Sequence, residues 1–275
     1  MKTLENQTLL YDEDCPLCSL YTTGFVKSDM LDQNGRKSYC ELSDEEQNFV
    51  DLKRATNEIA LVDNKTKTVI YGIDSLIKVV GFSFPLIEKV STIKPIHFIL
   101  KKLYSFVSYN RKVIIPGNLK EANKLQCKPD FNYKYRFLFI GFALTITTFI
   151  LFRYSNLIFN FPKSNITREL ILAFGQIVFQ GLFLFKFDKE TIINYTGNLM
   201  TVSLMGSLIL MPIVILIQFV QLPQMIIIGW FGTTVFIMFL EHFRRVKILK
   251  LPIYLSFTWI LYRIIALYLI LNLQS

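Results

Sequence analysis

The chain has 275 residues and a net charge of +9, so it is long enough for more than one domain. Its hydrophobic fraction is 52%, which is too apolar for one soluble globule, whereas the charged stretches exclude a membrane bundle alone. No dense run of lysine and arginine predicts nucleic-acid binding. We therefore expect two domains, over 1–130 and 131–275.

The first domain alternates predicted strands and helices. A short apolar run ending at Tyr11 predicts a strand, and the helical period of SLYTTGFVKSDML predicts a helix after it. The segment RKSYCEL then predicts a strand, and SDEEQNFVDLKRAT predicts a helix with a capping box at Ser43 and Glu46. EIALVD and TVIYG predict the two strands of a hairpin. GIDSLIKVVGF predicts another helix, and further helical structure is expected over 85–112. The order β-α-β-α-β-β-α indicates an α+β domain of thioredoxin-like arrangement.

Two cysteines, Cys15 and Cys18, lie where the first predicted strand passes into the first helix, in LLYDEDCPLCSLY. At a helix N-terminus, unpaired backbone N–H groups and the helix dipole stabilise a thiolate. Pro16 suits the first helical turn, where no N–H donor is needed. We therefore predict a redox-active disulfide, with Cys15 as the nucleophile and Cys18, one turn along, as the resolving thiol.

Three acidic residues, Asp12, Glu13 and Asp14, directly precede this pair. Negative charge disfavours a thiolate by like-charge repulsion. A less stable reduced form makes the disulfide relatively more stable. The acidic run therefore predicts a reductant rather than a strong oxidant.

Two other interpretations of the cysteine pair remain open, namely a metal site and two inert cysteines. Zinc takes four ligands, usually as two ligand pairs, whereas the remaining cysteines are single and the histidines are His97 and His242. We therefore expect no metal. Cys40, on an alternating strand, is expected to be a buried small hydrophobe, and Cys127 is a candidate third redox residue.

The second domain contains five apolar stretches of the kind that cross a bilayer. They lie near 137–152, 170–185, 196–220, 224–240 and 253–273. No cysteine follows Cys127, so this domain cannot itself carry electrons across a membrane by a thiol relay. We expect an all-α anchor of about five helices in contact with lipid. The helices could also hold a quinone or lipid, although no motif is specific for either.

The charged loops predict the orientation of this anchor. With the first domain in the cytoplasm, the cytoplasmic loops carry six basic residues: Lys186, Lys189, Arg244, Arg245, Lys247 and Lys250. The opposite loops carry three: Arg153, Lys163 and Arg168. The positive-inside rule therefore predicts a cytoplasmic N-terminal domain and an outside C-terminus. We expect the membrane to be a bacterial inner membrane. The first residues lack the apolar core of a cleaved signal peptide.

Arg263 is the one charged residue within the predicted spans. It lies roughly 15 Å from either end of its span, which is too deep for its side chain to reach the interface. Intramembrane charges usually face the bundle interior and pair there. Two interpretations remain open: backbone carbonyls and glutamines (Gln176, Gln180, Gln218) cap the guanidinium, or it binds an anionic headgroup or ligand.

Three segments, YDEDCPLC at 11–18, YGIDSLIKVVGF at 71–82 and YSFVSYNRKVI at 104–114, resemble motifs of the DCC family of thiol-disulfide oxidoreductases. The resemblance covers about residues 7–130. It implies disulfide chemistry at the cysteine pair, with Asp12 as a motif residue and Asn110 and Arg111 as a signature of unknown role. Glu13 replaces the usual glycine. No proline precedes EIALVD, where thioredoxin-fold oxidoreductases generally place a cis-proline that orients the substrate.

The sequence thus predicts a membrane-anchored oxidoreductase that reduces a protein or small-molecule disulfide on the cytoplasmic side, with no cofactor beyond its own cysteine pair. Two alternatives belong to other classes. One is a non-catalytic, membrane-tethered binding module, whose function would survive substitution of Cys15 and Cys18. The other is a lipid-handling or small-molecule-handling membrane protein, centred on Arg263, with a redox-regulated domain.

Overall fold

A computed structural model describes residues 2–117, 130–159 and 161–272 of the chain. The chain divides into two compact units between Tyr135 and Arg136, where the sequence placed the boundary at 130. The first unit combines a small mixed sheet with helices, and the second consists of five long helices. Cys127, the candidate third redox residue, lies outside the described residues.

The first unit is built around a four-stranded sheet. Its strands are β1 (Gln7–Tyr11), β2 (Arg36–Ser38), β3 (Ala60–Asp63) and β4 (Val69–Tyr71). Its helices are α1 (Pro16–Lys27), α2 (Asp44–Gln47), α3 (Leu52–Ala55), α4 (Ile73–Ser83), α5 (Pro85–Ser91) and α6 (Lys94–Ile114). The strand order is β2-β1-β3-β4, in which β1 and β2 are parallel and the other neighbours antiparallel.

Both faces of this sheet are buried. Successive side chains of a strand point to opposite sides, so neighbouring residues of β1 enter different apolar clusters. Leu10 belongs to one apolar cluster with Val50, next to α2 and α3. Leu9 belongs to the other, with Leu61 and Val79, against which side chains of α1 and α4 pack. The end of β1 is therefore held from both sides, and this holds the start of α1 in place.

Two predicted elements differ from the structure. The strand expected over RKSYCEL ends at Ser38, and Tyr39–Glu41 form a 3₁₀ turn instead. The Ser38 side chain accepts a hydrogen bond from the Cys40 backbone N–H at 3.2 Å, which favours this turn over an extended strand. The prediction that Cys40 is buried on a strand is therefore wrong, since it is half-buried in a turn.

The helix expected over 43–56 is divided into α2 and α3. The division occurs because Asp51 caps α3, its carboxylate accepting a hydrogen bond from the Arg54 N–H at 3.0 Å. The predicted capping box of Ser43 and Glu46 is confirmed at the start of α2. The β3–β4 hairpin and the order of the elements are confirmed apart from this division.

The second unit contains α7 (Tyr133–Ser155, whose first turn belongs to the first unit), α8 (Ile166–Leu182), α9 (Lys189–Leu216), α10 (Gln224–Ile248) and α11 (Tyr254–Asn272). Within the described ranges, four of these helices are long and apolar enough to cross a membrane: α7, α9, α10 and α11. The fifth, α8, has 17 residues. At about 26 Å it is shorter than a hydrocarbon core of about 30 Å, so four membrane-capable helices stand where the sequence predicted five.

Contacts at one end of the bundle join the end of α7 to the starts of α8 and α10. The Tyr154 hydroxyl of α7 donates to the Ile227 carbonyl of α10 at 2.8 Å. The Ser155 hydroxyl donates to Glu169 of α8 at 3.5 Å. Leu210, near the end of α9, belongs to the same apolar cluster as Tyr154 and Ile227.

Contacts at the other end join the end of α8 to the start of α9, the end of α10 and the start of α11. The Tyr195 hydroxyl of α9 donates to Gln180 of α8 at 3.0 Å and lies 3.0 Å from His242 Nε2 of α10. His242 Nδ1 lies 3.2 Å from the Ser256 hydroxyl of α11.

The α7 helix also begins at this second end of the bundle, because Arg136 Nη1 donates to Asn194 Oδ1 of α9 at 3.1 Å. Helices α7 to α10 therefore run between the same two ends of the bundle, with neighbours in sequence antiparallel, and α11 begins at the second end. The short helix α8 joins the same two groups of contacts as α7, α9 and α10.

Candidate functional site

The two cysteines of the CxxC motif lie at the start of α1, directly after the turn that follows β1. Cys15 is the N-cap residue of α1, and its Sγ accepts a hydrogen bond from the Cys18 backbone N–H at 3.4 Å. Pro16 occupies the first helical turn, as the sequence predicts. Both thiols are buried, with exposed fractions of 0% for Cys15 and 4% for Cys18.

A buried cluster of charges adjoins the pair. Arg111 Nη2 lies 3.4 Å from Asp12 Oδ2, and Lys112 Nζ lies 3.3 Å from the same oxygen. Arg111 Nη2 also donates to the Thr56 carbonyl, in the segment before β3, at 2.9 Å. The other oxygen of Asp12 accepts a hydrogen bond from the Asp14 N–H at 3.0 Å. Two cations thus face one carboxylate beside the cysteines.

These surroundings lower the pKa of Cys15 from 9.0 to about 7. The largest cause is the hydrogen bond from the Cys18 side chain; the Cys18 N–H and the charge of Arg111 act in the same direction, while burial and Asp12 oppose them. The same side-chain hydrogen bond, together with burial, raises the pKa of Cys18. The fold therefore favours ionisation of Cys15 over ionisation of Cys18.

The expectation that the acidic run disfavours a thiolate holds for the charge of Asp12, which raises the pKa of Cys15, but other causes outweigh it. Asp12 is buried and its carboxylate is paired with Arg111 and Lys112, which partly compensate its charge. These two cations lie 99 and 100 positions later in the chain, and only the fold brings them to Asp12. The redox character that was argued from the acidic run stays a prediction.

The segment that follows α6 packs over the Cys15 side of the motif. Pro116 is buried, and the Gly117 backbone lies against the residues on either side of Cys15. A Cβ at Gly117 would lie 2.5 Å from the Asp14 carbonyl and 3.0 Å from Pro16 Cδ. Only glycine permits this approach, and the contact accounts in part for the burial of the Cys15 thiol.

Cys18 borders a cavity of about 270 Å³ between α1, α4 and α6. Most of its wall is apolar, formed by Leu17, Ile73, Leu76, Leu100, Leu103 and Val107. Tyr21 and Arg111 also line it, and the Tyr21 side chain lowers the pKa of Cys18, although burial and Cys15 raise it more. The cavity thus combines an apolar wall with one cysteine and one guanidinium group.

Asn110, the other member of the Asn-Arg signature, makes different contacts from Arg111. Its Nδ2 donates to the Phe106 carbonyl at 2.8 Å and to the Tyr135 carbonyl at 3.1 Å. Asn110 therefore ties α6 to the first turn of α7, whereas Arg111 contacts the cysteine motif.

Arg263 belongs to the second unit and stacks on an aromatic ring. Its guanidinium carbon lies 4.0 Å from the centroid of Trp259, which in turn stacks on His242. Its Nε is buried and has no hydrogen-bond partner among the described residues. Gln180, one of the three expected capping residues, bonds instead to Tyr195 and to the Leu255 carbonyl.

Sequence reasoning missed several residues of this site, among them Tyr21, Lys112 and Gly117. Tyr21 follows Cys18 by three positions on a helix, a spacing that places both on one face and could have been used. Lys112 and Gly117 gave no such signal, because their contacts depend on how α6 returns to the motif. No group of three or more metal-binding side chains occurs within the described parts of the chain.

Comparisons with known protein families, with curated proteins and with solved structures find no match to this chain. The relation to the DCC family therefore rests on the sequence motifs alone.

Proposed function

We propose that this protein is a membrane-anchored thiol-disulfide oxidoreductase that acts through Cys15 and Cys18. The observation that carries the proposal is the position of Cys15 as the N-cap of α1, where its Sγ accepts a hydrogen bond from the Cys18 backbone N–H at 3.4 Å. In agreement with this position, the pKa of Cys15 is lowered to about 7 and that of Cys18 is raised. The thiolate is the reactive form of cysteine, and disulfide oxidoreductases lower the pKa of their nucleophile in the same way. The charge of Arg111 contributes to this lowering.

In the proposed reaction, the Cys15 thiolate attacks one sulfur of a substrate disulfide, and the other substrate sulfur leaves as a thiolate. Cys18 then loses its proton and attacks Cys15 Sγ, which releases the second substrate sulfur. Two electrons pass to the substrate, and the protein keeps the Cys15–Cys18 disulfide. Once Cys15 is in the mixed disulfide it no longer carries the charge that holds the Cys18 proton, so the second step is favoured.

The topology of the first unit supports a thioredoxin-like assignment. Its central strand β1 leads into the CxxC motif, β2 is parallel to it, and β3 and β4 are antiparallel. The packing of Arg111 against the motif gives the Asn-Arg signature a physical role, which supports membership of the DCC family. Arg111 also binds the Thr56 carbonyl, close to where related folds place a cis-proline.

The membrane part of the proposal has five spans, because α8 runs between the same two ends of the bundle as α7, α9 and α10. Its large exposed side chains are apolar: Ile166, Leu170, Ile171, Phe174, Val178 and Leu182. Its buried side chains are polar: Glu169, Gln176 and Gln180. A helix with an apolar exterior and a polar interior suits lipid on the outside. With five spans, the loop charges favour a cytoplasmic first unit and an outside C-terminus.

One observation favours a second function in the helical unit. The Nε of Arg263 and the Nε1 of Trp259 are both buried and lack a hydrogen-bond partner within the described ranges. An anionic lipid headgroup or ligand would satisfy such donors. This alternative predicts that Arg263→Leu abolishes function, while Cys15→Ser does not.

The test of the proposed function is the reduction of a disulfide-bonded protein, such as insulin, by the full-length chain in detergent. Wild-type protein should reduce it, Cys15→Ser should be inactive, and Cys18→Ser should accumulate a mixed disulfide on Cys15. Cys40→Ser, which changes a cysteine outside the motif, is the matched control and should retain activity. Equal activity of Cys15→Ser and wild-type protein would overturn the proposal.

A further inference from the structure

The two thiols differ in what surrounds them. Cys15 is fully buried, and the Gly117 backbone packs against its neighbours in the motif. Cys18 instead forms part of the wall of the cavity between α1, α4 and α6. A small molecule that occupies this cavity therefore meets the sulfur of Cys18.

The cavity is also bordered by a positive charge. Arg111 lines it and is only 5% exposed. Its Nη2 binds Asp12 and the Thr56 carbonyl. Because a guanidinium group borders an otherwise apolar cavity, an anionic group bound there is favoured.

We propose, on the basis of the function proposed above, that this cavity binds a hydrophobic thiol that reduces the oxidised Cys15–Cys18 pair by attacking Cys18. Charge complementarity selects the reacting group, because the incoming thiolate is negative and the guanidinium of Arg111 is positive. The apolar wall selects the remainder of the molecule. A volume of about 270 Å³ has room for a short alkyl chain or a single ring.

The reaction balances with the thiol as the only co-reactant. The thiolate attacks Cys18 Sγ, the bond between the two protein sulfurs breaks, and Cys15 leaves as a thiolate. A second thiolate then attacks the bound thiol's sulfur and releases Cys18, which takes up a proton. Two thiols become one disulfide, and two electrons pass to the protein pair.

Leaving-group chemistry agrees with this choice of sulfur. In thiol-disulfide exchange, the sulfur with the lower pKa leaves faster. When Cys18 is bonded to the incoming thiol, the Cys15 sulfur still has the Cys18 backbone N–H and the charge of Arg111 to stabilise it as the leaving thiolate. Within the described parts of the chain, no backbone hydrogen bond is among the causes that act on the pKa of Cys18, so attack at Cys15 would expel the less stabilised sulfur.

The test compares two thiols on the oxidised, full-length protein in detergent micelles. 1-Hexanethiol and 2-mercaptoethanol differ in the length of their apolar part. For each thiol, the rate at which it reduces the protein disulfide is divided by the rate at which it reduces a small model disulfide in the same micelles. Each methylene buried in the cavity should increase the relative rate about fourfold, so hexanethiol should be favoured by at least tenfold.

Substitutions at the cavity wall separate binding from micelle partitioning. Val107→Phe and, independently, Leu103→Phe fill the cavity from positions that are already 36% and 56% exposed, so either variant can fold. Both should lower the rate with hexanethiol far more than the rate with 2-mercaptoethanol, and so remove the preference. Val90→Phe, on α5 and 43% exposed, is the matched control and should retain the preference.

The possible outcomes distinguish this inference from the function on which it rests. Equal relative rates for the two thiols, or a preference that survives in both filled variants, would overturn the cavity proposal and leave the oxidoreductase proposal standing. If Cys15 and Cys18 form no reversible disulfide, both proposals fail together.

Discussion

Arg111 and Asp12 form a buried ion pair, with Nη2 and Oδ2 separated by 3.4 Å and both side chains less than 7% exposed. The pair joins the end of α6 to the turn between β1 and α1, and Lys112 binds the same carboxylate. It thus connects the two ends of the first unit's sequence directly beside the cysteine motif. This contact gives the cysteine site a compensated acid and a stabilising cation.

The charge of Arg111 is expected to control the ionisation of Cys15. Arg111→Gln removes a positive charge that lowers the pKa of Cys15, so that pKa should rise from about 7 towards 9. The ultraviolet absorbance of the thiolate, measured against pH in full-length protein and in Cys15→Ser, reports this pKa. Arg54→Gln removes an exposed guanidinium and should leave the titration unchanged. An unchanged pKa in Arg111→Gln would contradict the assignment.

Asp12 is expected to matter more for stability than the acid next to it. Asp12→Asn leaves Arg111 buried without its counter-charge, and removal of one partner of a buried pair typically costs about 3–5 kcal/mol. Amide hydrogen exchange of β1 and α6 in the full-length protein measures the loss as faster exchange. Glu13→Gln is the matched control, for which a change within about 0.5 kcal/mol is expected. Equal protection in the two variants would show that the ion pair is energetically unimportant.

Gly117 is expected to control access to Cys15. In Gly117→Ala the new Cβ would lie 2.5 Å from the Asp14 carbonyl, so the segment must move away from the motif. Overpacking of this kind costs about 1–3 kcal/mol, and the rate of Cys15 alkylation by iodoacetamide should rise about tenfold or more. Gly24→Ala, also near the motif, meets no atom within 4 Å and should not change the rate.

Gly206 is expected to be required for packing between α9 and α10. A Cβ at this position would overlap the side chain of Met238, so Gly206→Val must displace a buried neighbour. The midpoint of thermal unfolding in detergent should fall. Gly229→Val places the same side chain where no atom lies within 4 Å, and its midpoint should stay close to that of wild-type protein. Equal midpoints for both variants would argue against this packing.

The elements that local patterns determine could be predicted from the sequence. The strand before the motif, the helix that starts at Pro16 and the β3–β4 hairpin follow from periodicity and turn residues, and all three are present. The capping box of Ser43 and Glu46 is a pattern four residues long, and it is also present. These features depend on interactions between near neighbours in the chain.

The features that sequence reasoning missed depend on distant contacts. The acidic run predicted an unfavourable charge at Cys15 because the pairing of Asp12 with Arg111 crosses 99 positions. The burial of Cys15 against the Gly117 segment and the cavity beside Cys18 arise from the return of α6 to the motif. The two interpretations of Arg263 stayed open in the sequence because its surroundings come from other helices. Arg263 stacks on Trp259, which in turn stacks on His242 of α10.

The central claim is tested most directly by the reduction potential of the Cys15–Cys18 pair in the full-length protein. The protein is equilibrated in glutathione and dithiothreitol buffers, its thiols are alkylated, and the oxidised fraction is read by mass. Since the pKa of Cys15 is lowered only to about 7, we predict one reversible disulfide near the thioredoxin potential of about −270 mV. The absence of that disulfide, or a potential near the value of about −120 mV for a strong periplasmic oxidant, would contradict the account.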